Sequence, residues 1–287
     1  MGSGLHKQQE EERSNQGKKL SGSEEVYKDE TSIGIKIGKF TIIGNEKGYK
    51  VISEEGELGP FREGEIHEDR AIFRLDKGMM LEVTENKVRE IFSPEKAELH
   101  GYICADGYIR CGKCGSKYRY EVRLYDQEYE TAIHYANIIE KIYGVKAHYY
   151  PKYDEIATYG REVAEDLNKY RPYGTEHWRV PFKFLDRNSA RSWLRGFFDG
   201  DGDVNVRRSL SKSAVRAFSK NKEGLLEVKK LLEQLGIKSY FSKRTNRIEY
   251  ELDVQSENIK KFAELIGFNS PKKRQKLNLL LKLFFNK

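Results

Sequence analysis

Residues 97–107 read AELHGYICADG and residues 192–202 read SWLRGFFDGDG, and the two stretches match at a constant offset of 95 at Leu99/Leu194, Gly101/Gly196, Asp106/Asp201 and Gly107/Gly202. An internal repeat at a fixed offset points to a unit built twice. Each copy is followed by strand-like alternation, YRYEVRLYD after the first and KSAVRAFSK after the second. Next come the amphipathic runs TAIHYANIIEKIYG and EGLLEVKKLLEQLG, stopped by Gly144 and Gly236, and then further strands, HYYPKY in one copy and KSYFSKR with IEYELDV in the other. Glycine just past the last periodic residue is the expected helix stop. The spacing predicts helix, two strands, helix, two strands, helix in each copy. Ile133, Ile138, Ile139, Leu225, Val228, Leu231 and Leu232 then form the apolar faces of the two amphipathic helices.

The ends of the two repeated helices carry the chemistry. Asp106 and Asp201 lie in the last helical turn, where a carboxylate faces the negative end of the helix dipole at a cost of up to ~1 kcal/mol, so stability does not select them. Gly101 and Ala105 are four apart, as are Gly196 and Gly200, and small residues at that spacing let two helix backbones approach closely. Packed on those faces, the helices bring both carboxylates together at one end, where only a cation balances them. Carboxylates with the carbonyls of Ala105 and Gly200 are hard oxygen ligands suited to Mg²⁺ or Mn²⁺, and metals between paired acids serve phosphodiester hydrolysis. Asp199 lies roughly 200° from Asp201 around a helix and is expected in a solvated or structural role, and Asp203 at the surface start of a strand. The alternative for the acid pair is two ordinary Asp-Gly turns.

LHGYICADG and LRGFFDGDG resemble the two signature helices of LAGLIDADG homing endonucleases in single-chain form, over roughly residues 95–287. The resemblance implies two pseudo-symmetric αββαββα repeats forming a DNA-binding saddle, preceded here by a small β-rich domain. It implies a monomeric, Mg²⁺-dependent endonuclease that cuts both strands of a long asymmetric site in duplex DNA. Asp106 and Asp201 would hold the metal, while Lys220, and Gln127 at the corresponding place of the first repeat, would stand beside the scissile phosphates. Gln127 departs from the lysine pattern, so unequal cutting of the strands is one expectation. Arg119, Arg123, Arg207, Arg208, Arg216, Lys243, Arg244 and Arg247, with Tyr118 and Tyr120, lie on or beside strands that would face DNA. Lys272, Lys273 and Lys276 form a second basic cluster entering the last helix. A non-cleaving DNA-binding regulator or an RNA-splicing maturase is the second reading.

The 287-residue chain has 52 Lys and Arg against 45 Asp and Glu, a net of +7. Residues 1–94 hold 15 basic against 19 acidic side chains and residues 95–287 hold 37 against 26, so the positive charge sits in the repeats. That is the electrostatics of a nucleic-acid binder, or of a solvated basic surface. Residues 1–31 are polar and read as a disordered tail, 32–93 as a β-rich accessory domain, 94–187 as the first repeat and 188–287 as the second. A β-rich module beside such a nuclease resembles an intein layout, and intron or intein association is an expectation. Self-splicing is not, because the chain begins with Met1 and ends Phe285–Asn286–Lys287 rather than beginning with Cys or Ser and ending in His-Asn. With no export signal or apolar span, a cytoplasmic protein is expected. Cys111 and Cys114 have knuckle spacing without a second ligand pair, which leaves surface cysteines as the expectation.

Overall fold

The computed structural model describes residues 25–29, 32–245 and 248–285, so the expected tail and Arg247 lie outside the described residues. The chain divides into two compact units, one ending at Ala71 and including Val83–Lys87, the other made of Ile72–Glu82 and Val88–Lys287. The first contains an antiparallel meander of β1 (Glu25–Asp29), β2 (Ser32–Ile37), β3 (Phe40–Asn45), β4 (Gly48–Ser53) and β5 (Gly56–Phe61), paired in sequential order. Ile37, Phe40, Ile42 and Val51 are its buried side chains. Four short strands follow: β6 (Gly64–Ile66), β7 (Arg70–Arg74), β8 (Met79–Thr84) and β9 (Val88–Phe92). Pro94 was the expected edge of the repeats, yet Ile72–Glu82 and Val88–Phe92 group with them. The reason is burial, since Met79 and Phe92 share a core cluster with Trp193 and Phe197.

The second unit builds the repeat twice. The first copy is α1 (Pro94–Asp106), β10 (Gly107–Cys114), β11 (Lys117–Tyr125), α2 (Tyr129–Tyr143), β12 (His148–Tyr150), β13 (Glu155–Thr158) and α3 (Arg161–Asn168). The second is α4 (Arg187–Asp201), β14 (Gly202–Asn205), β15 (Ala214–Ser219), α5 (Lys222–Gln234), β16 (Tyr240–Lys243), β17 (Tyr250–Gln255) and α6 (Asn258–Leu265). A last helix, α7 (Pro271–Phe285), follows. The sheet orders are β10-β11-β13-β12 and β14-β15-β17-β16, the same topology in both copies. The expected pair of αββαββα repeats is therefore the observed fold.

Local chemistry explains where the central helices start. The Ser93 side chain accepts from the Lys96 N–H with Pro94 in the first turn, and Asp186 and Ser189 cap α4 reciprocally. Six of the seven expected apolar positions on α2 and α5 are buried, and Ile133 is partly so. Under α1 lies a fully buried cation: the Lys96 ammonium donates to Asp166 at 2.6 Å and to the Lys77 carbonyl at 2.8 Å, 4.8 Å from the Tyr170 ring centroid.

His100 on α1 has no exposed surface. The indole of Trp193 on α4 donates to its Nδ1 at 2.9 Å. Because an indole N–H only donates, Nδ1 is the unprotonated nitrogen and the proton sits on Nε2, facing the Tyr170 carbonyl at 3.5 Å. Burial pushes the imidazole down to about 4. The unfolded chain protonates near 6.5 while the native state stays neutral, so stability from this group is full above about pH 6.5 and falls as the pH drops toward 4. The loss is up to about 3 kcal/mol for a shift of this size. Urea melts from pH 7 to pH 4 are expected to show this slope in the wild type and to flatten in His100→Gln; equal slopes would overturn the assignment.

Candidate metal and nucleic-acid site

Helices α1 and α4 cross at near-backbone contact. A Cβ on Gly101 would lie 2.1 Å from the Trp193 carbonyl oxygen, and one on Gly196 would lie 2.0 Å from that of Glu98. A Cβ on Gly200 would meet the Ala105 Cβ at 2.4 Å and Asp106 Oδ2 at 3.2 Å, so the two C-terminal turns come together as the small-residue spacing requires. Gly107 and Gly202 end the helices in extended backbone that runs straight into β10 and β14. Asp106 and Asp201 consequently stand side by side at the junction of helix and strand in both repeats.

The surroundings make this a strongly negative cleft. Withdrawal from water pushes the Asp106 carboxyl up, opposed by Lys273 and reinforced by Asp126. Asp201 is pushed well up, by withdrawal from water first and by Asp106 next. Asp126, which precedes Gln127, accepts from the Tyr102 hydroxyl at 2.7 Å and the Glu128 N–H at 2.7 Å. Its carboxyl is likewise raised by burial. In the run LYDQE it is Asp126, the acid beside Gln127, whose charge reaches Asp106, and that acid is a signal visible in the sequence. Gln127 is exposed between β11 and α2, and Lys220 is exposed at the equivalent turn between β15 and α5.

Asp199 departs from the solvated alternative and takes the structural one. It is buried and accepts from Tyr135 Oη at 2.9 Å, from the Asn269 N–H at 3.0 Å, from Asn269 Nδ2 at 2.8 Å and from the Ser270 N–H at 3.2 Å. These bonds fix the two residues that launch α7. The first turn of α7 then lays Lys273 on the site, while Lys272 and Lys276 stay largely exposed. Lys273 Nζ donates to the carbonyl oxygens of Phe198 at 3.2 Å, Asp199, and Gly200 at 2.9 Å. Lys272 lies 3.6 Å from Glu128 and Lys276 3.4 Å from Asp203. Burial lowers the Lys273 ammonium's pKa against the pull of Asp199, Asp126, Asp106 and Asp201.

The donor set fits a divalent cation. Asp106, Asp201 and the carbonyls of Ala105 and Gly200 offer hard oxygen ligands, and an ammonium already sits on the Gly200 oxygen as a cationic stand-in. No cluster of three or more His, Cys, Asp or Glu side chains arranged for a metal occurs among the described residues, so backbone carbonyls and solvent would complete the shell. Cys111 and Cys114 both lie on β10, the first half-buried and the second exposed.

The sheet cations are distributed differently from the expectation. Alternation puts Arg119, Glu121 and Arg123 on one face of β11 and Tyr118, Tyr120 and the buried Val122 on the other, so the two tyrosines share the helix-side face with the core. Arg123 pairs with Glu121 at 2.7 Å and Glu155 at 3.0 Å. In the second sheet Arg216 pairs with Asp203 at 2.8 Å and Glu251 at 3.3 Å, and Arg244 pairs with Glu249 at 2.8 Å. The guanidiniums of Arg216 and Arg244 lie 5.0 and 4.9 Å from the Phe218 ring. Burial opposes ionisation of Asp203, but Arg216 and Lys276 hold its carboxyl below the ordinary value. Arg119, Arg207, Arg208 and Lys243 are the exposed members of the expected set.

Comparison with known proteins follows the same lines. A family model described as the LAGLIDADG-like domain matches residues 188–267. The chain is 30% identical over 162 residues to a DNA polymerase of Thermococcus sp. (strain GE8), covering 53% of this chain and 9% of the polymerase. It is 24% identical over 270 residues to the replication factor C small subunit of Methanocaldococcus jannaschii, covering 90% of this chain and 14% of that protein. It thus spans a small part of the length of the curated relatives it matches. Among solved structures, that of I-DmoI in complex with DNA and Ca aligns with a TM-score of 0.50 at 16% identity, over 65% of this chain and 97% of that one, a likeness of fold. Residues 188–267 thus match the LAGLIDADG-like domain, and the first repeat builds a sheet of the same topology.

Proposed function

We propose that the chain is a site-specific endonuclease that hydrolyses both strands of duplex DNA with a divalent metal, Mg²⁺ or Mn²⁺, acting as a monomer on a long asymmetric target. The observation that carries this reading is the apposition of Asp106 and Asp201 at two helix C-termini, where four negative features converge with no structural gain. Sites that raise carboxyl pKa values by desolvation and mutual charge are typical of function rather than stability. In this reading Asp106, Asp201 and the Ala105 and Gly200 carbonyls hold the metal, which when bound activates water and steadies charge on the phosphate. Lys220 meets the scissile phosphate of one strand, and Gln127 at the equivalent turn supplies a neutral donor for the other. The exposed Arg119, Arg207, Arg208 and Lys243 supply phosphate contacts, which fix register and carry salt dependence.

The matched stretches are small fractions of differently named proteins, a DNA polymerase and a replication factor subunit, which supports a separable element carried within longer host chains. A second reading, a DNA-binding regulator without cleavage, is favoured by one observation: Lys273 already lies on the Gly200 carbonyl. The test is cleavage of a randomised duplex library in Mg²⁺ beside binding in Ca²⁺. Specific double-strand cuts are expected in Mg²⁺. Specific binding in Ca²⁺ without cuts in Mg²⁺ or Mn²⁺ would establish the regulator instead.

A further inference from the structure

We infer that Lys273 is a built-in counter-cation of the acid cleft, holding with its ammonium the oxygen position at the end of α4 that a divalent metal uses, so that metal entry requires its displacement. This rests on the metal-site reading above and adds a residue that controls occupancy. Three facts carry it. The ammonium contacts the carbonyl oxygens of Phe198, Asp199 and Gly200, which are the terminal acceptors of α4 and its negative pole. It sits within the field of four carboxylates, Asp199, Asp126, Asp106 and Asp201, contributed by α1, α4 and the β11–α2 turn. And its backbone is fixed independently, by Asp199 on the Asn269 and Ser270 amides and by Ser270 Oγ accepting from the Lys273 N–H at 3.3 Å.

Charge balance decides the consequence. Without a metal, Asp106 and Asp201 lie close together at the two helix ends, and the lysine offsets their repulsion. When a divalent ion enters, it neutralises the same oxygens, and an ammonium on the Gly200 carbonyl is then a like charge at contact range. Metal binding is weakened by the free energy needed to move the side chain, and the lysine so released stands in the cleft beside the reacting strands. Gly200 is the occupied carbonyl, so the α4 half of the site is the one restrained; Asp106, exposed and closer to Asp126, is the open half.

The experiment is calorimetric titration of the full chain with Mn²⁺ alone, without DNA, for the wild type, Lys273→Gln and Lys273→Arg. Glutamine removes the charge while keeping an N–H donor on a side chain one bond shorter. We expect Lys273→Gln to bind Mn²⁺ at least tenfold more tightly than the wild type, to melt lower in chelator, and to regain its melting temperature with Mn²⁺; Lys273→Arg should bind as weakly as the wild type. If Lys273→Gln folds only when Mn²⁺ is present, metal-dependent refolding is the same result in stronger form. Equal or weaker Mn²⁺ binding by Lys273→Gln, or no rescue of its fold at any Mn²⁺ concentration, overturns the inference. Because no DNA is present, a wild type that never cuts removes the nuclease reading alone, and the affinity difference is judged separately.

Discussion

Gly196→Ala is expected to destabilise the repeat unit by about 3 kcal/mol or more, although alanine is the better helix former by up to ~1 kcal/mol. The added methyl would lie 2.0 Å from the Glu98 carbonyl oxygen, a backbone atom within α1 that no rotamer change can move. Relief requires the two helices to part, which opens the layer formed by Leu99, Tyr102, Trp193 and Phe197, all without exposed surface. Overpacking against side chains costs typically ~1–3 kcal/mol, and a backbone obstacle lies at or above the upper end. Gly101→Ala meets the Trp193 carbonyl at 2.1 Å and should cost as much. The double variant is the sharper check, because one separation of the helices relieves both collisions, so its loss should be well below the sum of the two. Chemical unfolding, with the exposed Asn137→Ala as control, measures all of these. Full additivity, or single losses below about 1 kcal/mol, would mean that the helices do not meet as described.

This contact was legible in the sequence because it is local and repeated: two pairs of small residues at one spacing of four, each pair ending beside an acid, state the geometry of one crossing twice. The two sheets were legible for the same reason, since alternation and helix stops recur in order. Partners contributed across the fold were not legible. Lys273 reads as one of three lysines entering the last helix, and only the bonds that Asp199 accepts from Asn269 and Ser270, 70 and 71 residues apart in sequence, aim it back at α4. Likewise, the count of basic residues in the repeats is correct, but charge counting does not show that Arg123 and Arg216 face carboxylates on neighbouring strands, or that Arg244 pairs with Glu249 just beyond the ends of β16 and β17. Pairing of that kind depends on register, in which Arg216 stands opposite Asp203 and Asp253, and register is set by the whole sheet.

Asp201→Asn is expected to remove double-strand cleavage by about 10³-fold, the scale of losing a pre-organised electrostatic group in a desolvated site, while leaving the fold unharmed or firmer. The sign follows from the carboxyl. Its native pKa is raised, by withdrawal from water and then by Asp106, so above the ordinary carboxylate range the unfolded chain ionises more readily than the folded one. The ionised group therefore opposes folding at neutral pH, and asparagine, which keeps the shape without the charge, removes that opposition. In chelator the melting temperature of Asp201→Asn should match or exceed that of the wild type at pH 7, and the gap should close as the pH falls toward 4. Mg²⁺ should reverse the order, because an ion that binds the native site stabilises only the protein that retains both acids. Asp106→Asn should lose cleavage to a similar extent but gain less stability, since Asp106 is exposed where Asp201 is partly enclosed. A fall in melting temperature for Asp201→Asn in chelator would make the acid a structural cap of α4, and unchanged cleavage would take it out of the metal site. The opposite signs of the two readouts are what separate a site retained for chemistry from one retained for the fold.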